Sequence, residues 1–177
     1  MIHFDIAGVI LLSASFFCAI TDLVKGKIYN VVTFPIMVVG ILYHFLINGP
    51  EGIVFSLFGI GVALLLFFPL FAFKIMGAGD VKLLMAIGAL EGWKFTVSVA
   101  VLSFLAGGII GVLLLIYHGR FFKTVKTIGR LLLSLVVPQL EVEAPKLQDC
   151  FMAPFGVPIL IGVILTYFQW VYFFANV

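Results

Sequence analysis

The chain has 177 residues, 64% of them hydrophobic and only 10% charged, with a formal net charge of +2. Soluble domains carry about a quarter charged residues, so an ordinary soluble fold is excluded. There is room for several membrane spans but not for a sizeable extramembrane domain.

Hydropathy predicts six helices, at about 4–21, 31–47, 52–73, 81–93, 95–117 and 152–175, in an all-α membrane domain that occupies 1–177. The first is preceded by Met1-Ile2-His3-Phe4-Asp5, which lacks a cationic n-region. It is followed by Asp22-Leu23-Val24-Lys25, which is not a small-residue cleavage site. A retained span is therefore expected, not a cleaved signal peptide. Polar residues around Gly26 end it, Asn48-Gly49-Pro50-Glu51 is a turn-rich stop, and the segment 74–80 holds Gly77 and Gly79. The fourth helix would cover about 20 Å, short of the ~30 Å hydrocarbon core. Either it tilts into a thin region, or its first turn is recessed and Asp80 lies at the floor of a watery pocket.

Beyond the fifth helix comes the one long connection. Arg120, Lys123, Lys126 and Arg130 share one helical face, and Phe121, Val125, Ile128, Leu132 and Leu135 share another. An interfacial amphipathic helix on anionic lipid headgroups is expected there. Anchoring is its simplest role; gating or receiving substrate is the alternative.

Lysine and arginine give the orientation. With the N-terminus outside, Lys25, Lys27, Lys74, Lys82, Arg120, Lys123, Lys126, Arg130 and Lys146 are on inside loops, and only Lys94 is outside. Both termini are then outside, and the cytoplasmic loops are about 22–30, 74–80 and 119–151. Asp22 ends an inward-running helix and Asp80 begins an outward-running one. Both carboxylates thus lie at the cytoplasmic boundary, where two helices could bring them face to face.

An aspartate at membrane depth is costly and is kept where it faces protein or water. Two carboxylates within a few ångströms cannot both ionise cheaply, so one keeps its proton. The charged one can draw a proton from water and the neutral one can protonate a carbonyl oxygen, which hydrolyses a peptide bond without metal or covalent intermediate. Plainer roles stand beside this one: Asp80 as a helix N-cap, Asp22 as a loop residue among headgroups. Other chemistries are poorly served. The chain has no HExxH, no GxSxG and no Gly-rich phosphate loop. His3, His44 and His118 are scattered near helix ends, and Cys18 and Cys150 form no CxxC pair or ligand cluster. No metal or other cofactor is expected, and no basic, aromatic-interleaved surface suggests nucleic acid.

Gly77-Ala78-Gly79-Asp80-Val81-Lys82-Leu83 resembles the GxGD motif of the aspartic prepilin peptidases. The stretch from Asp22 through Ile28 to Asn30 is similar to that family's first motif, with Tyr29 where the larger enzymes usually have proline. Pro154-Phe155-Gly156-Val157-Pro158 resembles the element that starts its last helix. The resemblance implies cleavage of short basic leaders from type IV pilin-like precursors at the cytoplasmic face of a prokaryotic plasma membrane. It marks Asp22 and Asp80 as the catalytic pair. Lacking the cysteine-containing insertion of the methylating enzymes, the chain looks more like the short tight-adherence (Flp) pilus peptidases, or more distantly the archaeal preflagellin peptidases. Its partners would be the precursor and membrane lipids.

Gly77 and Gly79 would permit close helix approach or leave room for a substrate backbone. Lys82 would attract an acidic residue beside the leader or the aspartate pair, or simply snorkel. Asn30 would bond near Asp22 or cap the second helix, and Pro154 and Pro158 would shape the entry of the last helix. Two other function classes remain open at this point. One is a small ion- or proton-coupled transporter using the same aspartates, which predicts inverted repeats that the halves do not display. The other is a non-catalytic assembly factor that retains the scaffold.

Overall fold

A computed structural model describes residues 6–73, 76–119, 122, 124, 126 and 155–175, with side chains in the last helix described as far as Gln169. Among them every regular element is a helix: α1 Ile6–Lys25, α2 Asn30–Asn48, α3 Pro50–Ala72, α4 Ala78–Tyr117 and α5 Gly156–Ala175. α1 to α4 are each long and apolar enough to cross a membrane, and α5 is apolar over Gly156–Gln169.

α4 joins the predicted fourth and fifth helices, and its break falls at Gly92, where φ is 78° and ψ is 177°. A residue with a Cβ is strained at that positive φ, and glycine is not. Such a break leaves carbonyls of the preceding turn without their helical partners. One of them, Leu90 O, accepts a hydrogen bond from His44 Nε2 at 2.8 Å. Nearby, the Tyr167 hydroxyl donates to Glu91 Oε1 at 2.6 Å. The residues before the break, 78–91, span about 21 Å.

The described chain divides into two units, Met1–Gly107 with Pro154–Val177, and Gly108–Ala153. The core of the first is the segment 78–91, where Val81, Leu83, Leu84, Ala86, Ile87, Ala89 and Leu90 are all buried. Its neighbours bury narrow stripes with helical spacing: Thr33, Ile36, Met37 and Gly40 on α2, and Gly52, Ser56, Gly59, Ala63 and Phe67 on α3. Their other faces expose Val, Leu and Phe, as suits a surface meeting lipid acyl chains. Because lipid offers no hydrophobic drive for helix association, close backbone packing must supply the attraction. Gly59 and Gly88 supply it here, since a Cβ on either would overlap the other's carbonyl group. α1 packs against α5 and α2, and α2 against α3.

In the second unit, helix α4 continues to Tyr117, and Gly119 follows with φ 64°. Phe122, Thr124 and Lys126 are helical. The rest of the predicted amphipathic helix lies outside the described residues, as does Pro154.

Candidate active site

Asp22 sits in the last turn of α1, within the helix and not in the loop predicted after residue 21. The helix runs on to Lys25, a cation that suits a C-terminus, and closes on Gly26, whose φ of 61° suits the left-handed cap. The Gly26 N–H donates to Asp22 O at 2.8 Å. Inside that turn the Asp22 side chain is carried on the same buried stripe as Leu11, Ser15, Cys18 and Ala19. Only 7% of Asp22 is exposed.

Asp80 enters from the opposite chain direction, in the first turn of α4, and is 8% exposed. Its Oδ2 accepts the Gly77 N–H at 3.1 Å. An acidic side chain reaching back to the N–H just ahead of the helix is one half of a capping box, and its charge suits the positive helix end. Asp80 is thus the third residue of α4 and not its N-cap, and its bond to the Gly77 N–H coexists with burial of the carboxylate.

The charges of Asp22 and Asp80 are close enough to act on each other. Cys18, one turn before Asp22 and buried, feels the charge of both. Sequence reasoning gave that cysteine no place; its i, i+4 spacing from Asp22 is the signal that could have found it.

The start of α5 closes the arrangement. The Gly156 N–H, 134 residues from Asp22, donates to Asp22 Oδ2 at 2.7 Å in a buried bond. It is one of the N–H groups that a helix start leaves without an internal partner. A Cβ on Gly156 would lie 2.9 Å from that oxygen and 3.3 Å from Ala19 Cα, so a side chain there would crowd the contact. Pro158, in the first turn where a missing N–H costs nothing, packs with Phe155 near Gly107. The Phe155 ring also lies 5.5 Å from that of Phe104.

The connection between α1 and α2 is seated on the start of α4 at two points. Ile28 abuts Gly79, where an added Cβ would come within 2.8 Å of Ile28 Cβ. Lys82 Nζ donates to Asn30 Oδ1 at 2.9 Å and lies 5.1 Å from the centre of the Phe34 ring. Asn30 therefore meets Lys82 instead of capping α2, whose N-cap Tyr29 has no side-chain bond. Gly79 is a packing glycine, whereas Gly77 offers its N–H to a carboxylate.

Five of the predicted residues thus converge on two aspartates or on the segments that hold them: Gly77, Gly79, Lys82, Asn30 and Gly156. Each carboxylate has one oxygen fixed by a main-chain donor. Among the described residues no hydrogen bond reaches the other oxygen of either. Such a pair can hold and polarise a water molecule. Among the described residues, no three His, Cys, Asp or Glu side chains gather into a group that could hold a metal ion.

A family model described as the type IV leader peptidase family matches residues 9–112. The match includes Asp22, Asp80 and the connection between α1 and α2, and stops before the start of α5. No curated protein and no solved structure matches the chain. With more than half of its length fitting that model, the chain belongs to the type IV leader peptidase family of membrane proteases.

Proposed function

We propose that this protein is an aspartic endopeptidase that removes the short basic leader of type IV pilin-like precursors at the cytoplasmic face of the plasma membrane. The observation that carries the reading is the meeting of Asp22 and Asp80, two buried carboxylates on neighbouring helix ends whose charges interact. The ionised aspartate takes a proton from water as the water oxygen bonds to the scissile carbonyl carbon. The protonated aspartate gives its proton to the carbonyl oxygen, leaving a neutral gem-diol. Cleavage of the C–N bond then sends the first proton to the leaving amine, and the gem-diol returns a proton to the second aspartate. The pair is restored, with nothing covalently attached.

In this reading α1, α2, α3, the two parts of α4 and α5 make six spans with both termini outside. The cytoplasmic loop 119–151 then brings Arg120, Lys123, Lys126 and Arg130 to anionic headgroups. Lys25 in the last turn of α1 and Lys82 in the first turn of α4 support the orientation, because they put positive charge at the helix ends that carry the aspartates. The chain carries two cysteines, Cys18 and Cys150, and no CxxC pair, which favours the short, cleavage-only branch.

Co-expression with a pilin-like precursor tests the reading. Asp22→Asn and Asp80→Asn should each reduce processing by at least about 100-fold, the lower range for loss of a general acid or base. Full processing by either variant would refute it.

A further inference from the structure

The two carboxylates are held in the same way from two different places. Asp80 Oδ2 accepts the N–H of Gly77, three residues away at the start of its own helix. Asp22 Oδ2 accepts the N–H of Gly156, 134 residues away at the start of α5. In both cases the donor is a glycine main chain at a helix N-terminus. In both, an added Cβ would come close to the oxygen it serves, at 3.0 Å for Gly77 and 2.9 Å for Gly156. The other glycines sort differently. Gly79 packs on Ile28, Gly59 and Gly88 on each other, and Gly61 has open space around it.

We propose that Gly77 and Gly156 are paired positioning residues. Each fixes one aspartate through a main-chain N–H to Oδ2, and leaves that aspartate's second oxygen for the reacting water. A main-chain donor at a helix start is already oriented before substrate arrives and has no side-chain freedom to lose. It also fixes the rotation of the carboxylate, which sets where the free oxygen lies. For Asp22 the donor comes from another helix, so its geometry depends on the seating of α5. For Asp80 it is built into the turn that starts α4.

Among the described residues, few other groups are placed to orient the carboxylates. The titratable or charged groups nearest to them in the chain are Cys18 and Lys25 on α1, Lys27 and Tyr29 on the following connection and Lys82 on α4. The Lys82 ammonium is held by Asn30, and Tyr167 on α5 is bonded to Glu91. The N–H groups of Gly77 and Gly156 are the hydrogen-bond donors that the described residues bring to the two carboxylates.

The inference rests on the reading of Asp22 and Asp80 as a catalytic pair, and the test separates the two. Purified full-length protein in lipid vesicles is given a pilin-like precursor, and kcat, KM and the pH profile are recorded. Gly77→Ala and Gly156→Ala should each lower kcat by about tenfold, because a Cβ 3.0 or 2.9 Å from Oδ2 forces that oxygen to shift. KM should stay within about twofold, as for an interaction used mainly in the transition state. The pH of half-maximal activity should move by up to about one unit, because the displaced carboxylate meets the retained N–H less well. Gly61→Ala, in open space, should leave all three unchanged. Gly8→Ala, whose Cβ would crowd the Tyr167 hydroxyl at 3.0 Å, is the control for packing damage away from the aspartates. Its pH profile should stay in place even where its Tm falls. Profiles that stay in place in both Gly77→Ala and Gly156→Ala, or that move as much in Gly8→Ala, would overturn the proposal while leaving the pair intact. Wild-type protein that cleaves no precursor would overturn both.

Discussion

At the scale of single residues, a carboxylate can carry two roles at once. Asp80 bonds the N–H ahead of its helix, as a capping residue does, yet it is buried beside Asp22. The sequence motif made Asp80 visible because two glycines precede it. Its particular donor was not legible, since any residue except proline presents an N–H. The bond from Gly156 to Asp22 was still less so, because no periodicity links residues 134 apart. Lys82 and Asn30 each stand out in the sequence, but their partnership comes from the way the connection between α1 and α2 folds over α4. That bond is exposed, and exposed pairs contribute at most about 1 kcal/mol. Lys82→Met, which also takes the ammonium away from the Phe34 ring, should therefore lower stability by no more than about 2 kcal/mol, as read by thermal unfolding in detergent. Cys18 is buried next to the aspartates but has no step in the proposed hydrolysis. Cys18→Ala should keep precursor cleavage within about threefold of wild type, a change under 1 kcal/mol in transition-state binding. A larger loss would assign the thiol a part in the chemistry.

At the scale of elements, hydropathy locates every helix that the structure describes but misjudges their ends at the site. A hydropathy window stops at the first charge, so it ends α1 before Asp22 and starts α4 after Asp80. The chain stays helical to Lys25 because Gly26 is the residue able to close the turn. Asp22 and Asp80 are consequently side chains of helices, fixed on rigid elements, and not residues of loops. Hydropathy puts the break in α4 around Lys94 for the same reason, charge being the most visible feature there. It lies at Gly92, where a positive φ decides the matter and no hydropathy signal exists. Gly92→Ala would put a backbone strain of about 1–3 kcal/mol into the fold, because a φ of 78° with a ψ of 177° is essentially a glycine conformation, and would push a methyl group into the Phe55 ring. Its Tm should fall clearly, while the pH profile of cleavage stays in place because the strain acts at the far end of the segment 78–91 from Asp80.

At the scale of the whole molecule, the composition announces a membrane protein. Lysine and arginine supply an orientation that folding geometry alone does not contain. In that orientation Lys25 and Lys94 lie on opposite sides of the membrane. With Cys18 and Cys150 replaced by alanine, Lys25→Cys should react with an impermeant thiol reagent only from the cytoplasmic side, and Lys94→Cys only from the outside. Labelling of both from one side would contradict the six-span arrangement. The first unit also explains why the three motifs are so far apart in the chain. They lie at the end of α1, the start of α4 and the start of α5, and the fold joins these ends around two carboxylates.

The most direct test of the aspartate pair uses the purified protein alone in vesicles, with a purified pilin-like precursor and mass measurement of the products. Wild type should release the intact leader. Asp22→Asn and Asp80→Asn, each folded with the Tm of wild type, should release it at least about 100-fold more slowly. Release at the wild-type rate by either folded variant would contradict the central claim that Asp22 and Asp80 together activate the water.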